Sequence, residues 1–139
     1  MVSRGLAMAV FAFSIAAFIP CISAQTRKTM RIDEKSDGRE VSMRLGETLE
    51  ITLSENASTG FRWGIPEALK NNLAPALRER EETVEAPAGP PGRSGERHLF
   101  FDAVQAGTAE IEIHYRRPWE KDKEPARRFK VRVVVAAKD

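Results

Sequence analysis

The stretch that decides the fold is Thr48-Leu49-Glu50-Ile51-Thr52-Leu53-Ser54-Glu55-Asn56-Ala57-Ser58-Thr59-Gly60-Phe61-Arg62-Trp63-Gly64-Ile65. Leu49, Ile51 and Leu53 alternate with Thr48, Glu50 and Thr52, the period-two pattern of a strand with one face buried. Phe61 to Ile65 alternates in the same way until Pro66 ends the run. Between the two lies Asn56 to Gly60, whose Asn, Ser, Thr and Gly are turn residues.

Working outward, 97–103 and 108–115 flank the short turn Gln105-Ala106-Gly107, and this spacing predicts a hairpin. Ile111, Ile113 and Tyr115 face inward on that reading, while Glu110, Glu112 and His114 face water. Phe129, Val131, Val133 and Val135 form a last inward row. An earlier pair of strands, near 29–32 and 39–45 around an Asp37-Gly38 turn, completes the sheets. Residues 67–73 suit a turn or two of helix before Pro75, and 76–86 read as an extended strand with Leu77 and Val84 as its apolar contacts. Many short strands with almost no helix predict an all-β, antiparallel sandwich.

Strand direction then places three unusual segments together. If the strands alternate strictly, the loops at 54–60, 87–95 and 116–126 all emerge at one end. Binding groups are commonly carried on such loops over a rigid scaffold.

Composition narrows the class of partner. Met1 to Arg4 gives a short basic start, no charge occurs from Gly5 to Gln25, and Leu6 to Ile19 is almost wholly apolar. With Pro20 and the small-residue exit Ile22-Ser23-Ala24, this is the layout of a secretory signal peptide cut after Ala24. The alternative is an uncleaved membrane anchor, since the uncharged stretch approaches spanning length. Removing 24 of the 139 residues leaves 115, one domain, destined for the periplasm or for secretion. Cys21, the only cysteine, leaves with the leader, so packing alone holds the core. Without Arg4 the balance is 21 Lys and Arg against 20 Asp and Glu. That near-neutrality argues against a nucleic acid or, after leader removal, a membrane as partner. The basic run from Arg127 to Arg132 alternates with Phe129 and Val131, as the solvated face of a strand does.

Taken singly the three loops are unremarkable turns, and Asn56-Ala57-Ser58 is also a formal glycosylation sequon. Taken in order they carry more. Asn56-Ala57-Ser58-Thr59-Gly60-Phe61-Arg62-Trp63, then Gly92-Arg93-Ser94-Gly95 within the Gly/Pro-rich run from Gly89, then Arg117-Pro118-Trp119 led by Tyr115 together resemble the chagasin family of cysteine-peptidase inhibitors. The likeness spans roughly residues 40 to 135. Ala57 stands where the family has proline and Ser94 where it has glycine.

The resemblance implies an immunoglobulin-like sandwich whose loops wedge into the active-site cleft of papain-like peptidases, with a monomer as the working form. The central loop, Asn56, Ala57, Ser58, Thr59 and Gly60, would approach the catalytic pair. Gly92, Arg93, Ser94 and Gly95, with Arg117, Pro118 and Trp119, would grip the cleft walls. Phe61 borders this set, but with Trp63 it is expected to serve mainly the core.

An enzyme reading finds little support. His98 and His114 are the only histidines, they fall on different strands, and neither has a second metal ligand at a familiar spacing. His98, Asp102 and a serine make a triad on paper only, and no cofactor motif is present. The competing reading is a secreted sandwich module that binds a glycan or a surface protein without inhibiting anything.

Overall fold

In a computed structural model of the chain, residues 26–86, 89–90 and 92–137 are described, together with the isolated Gly5 and Ala17. The expected leader, those two residues apart, therefore lies outside the described residues, as do Pro87, Ala88 and Pro91 of the second loop.

Among the described residues, nine strands form two sheets. They are β1 (Thr29–Asp33), β2 (Glu40–Arg44), β3 (Thr48–Glu55), β4 (Arg62–Gly64), β5 (Leu77–Glu79), β6 (Thr83–Glu85), β7 (Gly95–Ala103), β8 (Gly107–Arg116) and β9 (Arg127–Ala136). One sheet runs β1-β3-β7-β5, with β6 also on β7; the other runs β2-β9-β8-β4. The alternating rows meet between them. Leu49, Ile51 and Leu53 of β3 and Leu99 and Phe101 of β7 pack with Ile111 and Ile113 of β8 and Phe129, Val131 and Val133 of β9, all essentially inaccessible to water. Burying ten such large side chains supplies the main folding drive in a chain without disulfides.

The sandwich is mixed rather than purely antiparallel, because β1 lies parallel to β3 and β2 parallel to β9. The chain changes sheet after β1 and again after β2, so β1 and β3, two reversals apart, meet side by side running the same way.

The expected hairpin does not form. β7 pairs with β3, β5 and β6, while β8 pairs with β9 and β4 in the other sheet. Residues 104–106 carry the chain across the core, and Val104 and Gln105 donate their N–H groups to the Ala76 carbonyl at 2.9 and 3.3 Å. Alternation marks each strand's buried face, but it does not say whether the next strand lies beside that face or opposite it.

The stretch 76–86 also splits. Leu77 stands opposite Ala103 and Thr83 opposite His98, so the edge carries one residue more than β7 over the same span, as at a bulge. Leu77 is buried as expected, but Val84 sits at the rim, 52% exposed. Residues Glu67–Asn72 form a short 3-10 helix, and the strand expected at 61–65 shrinks to Arg62–Gly64.

Candidate functional site

The three loops meet at one end of the sandwich. Loop one folds on its own side chains. Asn56, with an extended backbone, caps a 3-10 turn at Ala57–Thr59. Its Oδ1 accepts from the Ser58 N–H at 3.2 Å and from Ser58 Oγ at 2.6 Å. Thr59 Oγ1 donates to the Asn56 carbonyl at 2.7 Å, and the Gly60 N–H donates to the Ala57 carbonyl at 3.1 Å. Such caps satisfy turn donors that would otherwise be orphaned. The tip is left outward: Ala57, Ser58 and Thr59 are exposed.

Gly60 is required twice over. Its φ of +78° is a left-handed conformation that favours glycine. A Cβ there would also lie 2.7 Å from Cη2 of Trp119, inside any real contact distance. The Trp119 ring thus lies directly on the loop-one backbone, yet remains 69% exposed. An exposed tryptophan on a rigid support is the residue type that dominates interface energetics.

Arg117 completes the joint. Its Nε donates to the Thr59 carbonyl at 3.2 Å, and its guanidinium stands 4.7 Å above the centre of the Phe61 ring. Glu120 lies 3.7 Å from the Arg117 guanidinium; hydrogen bonding from Lys123, then the charges of Lys123 and Arg117, hold its carboxyl below the usual range. Pro118, between Arg117 and Trp119, is exposed.

Loop two touches this unit more lightly. The Asn56 side-chain amide donates to the Gly92 carbonyl at 3.4 Å. Gly92, Arg93 and Ser94 are exposed, and Gly92 has a φ of +94°. Gly95 behaves differently from its three predecessors. It is buried as the first residue of β7, opposite Glu55, and so supports the loop from below. A groove of about 330 Å³ separates loops one and two, lined by Ala57, Val84, Ala86 and Arg93 among others.

Beneath the loops lies a set of residues that the motif reading passed over. Glu55 and Arg97 are both buried, joined by two hydrogen bonds of 2.6 and 2.8 Å. Glu55 also accepts from the Trp63 N–H at 2.9 Å, and Arg97 reaches Glu82 at 2.6 Å. The Glu55 hydrogen bonds outweigh burial and raise the Arg97 pKa above its ordinary value. The Trp63 indole donates to the Ser54 carbonyl at 2.8 Å. Tyr115 packs between Phe61 and Trp63, with ring centres 5.3 and 5.0 Å away, and its hydroxyl accepts from the Asn56 N–H at 3.3 Å. The signal was present in the alternation: Glu55 follows Leu49, Ile51 and Leu53 on the inward row, and Arg97 precedes Leu99 and Phe101 on theirs. Two inward charges on neighbouring strands are a buried ion pair in prospect.

The comparisons with known proteins agree with this geometry. The pattern of the Chagasin family peptidase inhibitor I42 matches residues 42–133. Amoebiasin-2 of Entamoeba histolytica is 30% identical over 107 residues, covering 75% of this chain and 83% of its own. Chagasin of Trypanosoma cruzi is 29% identical over 106 residues, covering 73% and 93%. Among solved structures, the Entamoeba histolytica cysteine protease inhibitor EhICP2 superposes with a TM-score of 0.66 at 26% identity, covering 80% of this chain and 98% of that one. Strand order, loop convergence and these likenesses place the chain in the chagasin family of peptidase inhibitors, on an immunoglobulin-like β-sandwich.

Proposed function

We propose that this protein is a reversible inhibitor of papain-like cysteine peptidases that occludes the active-site cleft with its three loops. One observation carries the reading: the small polar tip Ala57-Ser58-Thr59 projects between supports that are already fixed by hydrogen bonds. A narrow tip enters a cleft, and its rigidity limits the ordering cost of binding. Thr59 and Ser58 offer hydroxyls there, while Trp119 offers apolar area against the cleft rim. Membership of a peptidase-inhibitor family supports occlusion rather than catalysis.

Steady-state inhibition of papain tests the proposal. Wild-type protein should abolish turnover reversibly and remain uncleaved within 56–60. Thr59→Arg should fold normally, since the site is exposed, yet lose inhibition, because it drives a bulky charge into the cleft. Full inhibition by a well-folded Thr59→Arg variant would overturn the central-loop mechanism, and failure of the wild type to inhibit any papain-like enzyme would favour a non-inhibitory binding module.

The leader pattern supports export, with cleavage after Ala24 and a product in the periplasm or outside the cell. The near-neutral charge of that product supports a partner other than nucleic acid or membrane. Intact mass of the exported species checks the first point: a membrane-bound form retaining Met1 would refute it.

A further inference from the structure

We propose a zinc-binding site on the outer face of the β6–β7 edge, formed by His98 Nε2 and the carboxylates of Glu85 and Glu96. Three observations converge on it. The first is a repulsion: Glu85 and Glu96 stand directly opposite each other on the antiparallel ladder, an arrangement that destabilises a sheet unless a cation lies between the charges. Among the described residues no Lys or Arg pairs with either; the ring nitrogen Nε2 of His98 lies 3.8 and 3.9 Å from their carboxylates.

The second is the state of His98. Its Nδ1 lies 2.8 Å from Glu50 Oε1. With Nδ1 donating to that carboxylate, Nε2 is the ring nitrogen left to ligate an ion. A carboxylate fixing the far nitrogen of a histidine is the support that zinc-ligating imidazoles receive.

The third is that Nε2 is itself buried and has no hydrogen-bond partner among the described residues, which is costly for a polar atom. It points at the two carboxylates, and one ligand atom from each of the three residues lies within 4.8 Å of the others. Zinc bonds of about 2.1 Å at tetrahedral angles set ligand atoms about 3.4 Å apart. Closing from 3.8 and 3.9 Å needs a small rotation of two glutamates whose side chains are 73% and 55% exposed. A water would complete four-coordination. Because β6 enters loop two and β7 leaves it, the ion would clasp the base of that loop.

Untagged protein titrated with zinc sulfate, followed by calorimetry and by the ring nitrogen resonances of His98, tests the site. One equivalent should bind, with a large shift of His98 Nε2 and a raised melting temperature. Glu50→Gln should weaken zinc about tenfold by loosening the imidazole. Glu85→Gln with Glu96→Gln should weaken it further while remaining folded. Absence of a His98 shift at millimolar zinc would overturn the proposal. So would unchanged affinity in the double variant, which would place the ion elsewhere, for example at His114 and Glu112.

Discussion

Loops one and three behave structurally as one body, while loop two is attached by a thread. Loop one is closed by Asn56, Ser58 and Thr59, roofed by Trp119 and pinned by Arg117. Across the groove, the described residues of loop two share one hydrogen bond with it, from Asn56 to Gly92. The difference teaches where preorganisation resides. The central tip and its tryptophan are set by contacts within the chain, whereas Gly92 of the second loop meets them through a single hydrogen bond.

The largest test strikes the common foundation. Glu55→Ala leaves the buried Arg97 with Glu82 as its remaining carboxylate partner and removes the acceptor of the Trp63 N–H, so stability should fall by about 3 kcal/mol. Urea unfolding measures it, and a loss under about 1 kcal/mol would mean the loops rest on something else. Trp119→Ala comes next. It should leave the melting temperature nearly unchanged and weaken peptidase binding by about 2 kcal/mol, roughly thirtyfold in inhibition constant.

A subtler test asks whether loops one and three are truly joined. Gly60→Ala should cost about 1 kcal/mol or more of stability in the wild type, and less in a Trp119→Ala background, since part of the clash disappears with the ring. A coupling of about 0.5 kcal/mol or more is expected by double-mutant cycle, whereas Arg93→Ala and Trp119→Ala should add independently in binding. Equal costs of Gly60→Ala in both backgrounds would separate the two loops.

The smallest effect is a gain. Ala57 is the first residue of its turn, and its N–H has no partner within the described backbone network. Asn56, at φ −105° and ψ 96°, already has the extended backbone that a following proline demands. Ala57→Pro should therefore stabilise the protein by about 0.4–1 kcal/mol through the unfolded chain. A drop in melting temperature would show that this position cannot take the proline φ.

Most of the strands and the convergence of the loops were legible in the sequence, because alternation and turn chemistry are local properties. Partner choice between strands was not. β7 and β8 look like a hairpin over any short window, and only the competition from β3 and β9 sends them to opposite sheets. Val84 was misread for a related reason: the extra residue sets it opposite the inward Arg97, yet on an edge strand it stays 52% exposed. Asn56 to Gly60 and Arg117 to Trp119 lie in the loops the motif reading assigned them to, but Phe61, expected mainly in the core, is only half-buried beneath the Arg117 guanidinium, and Gly95 was assigned to the surface because a motif carries no burial. The role of Arg117 as a brace rather than a free donor depends on Thr59 and Phe61, both distant along the chain.

The broken edge formed by β5 and β6 bears on a different matter, self-association. Open strand edges invite another chain to add alongside, the first step toward aggregates. Here the edge is two three-residue pieces offset by an extra residue, carrying Arg78, Glu79, Arg80, Glu81, Glu82 and Glu85 in quick succession. A second molecule approaching that side meets charge and a broken ladder, so it finds no continuous row of backbone groups to pair with. A protein without disulfides, working at whatever concentration its partner demands, is thereby kept from templating its own precipitation along this flank.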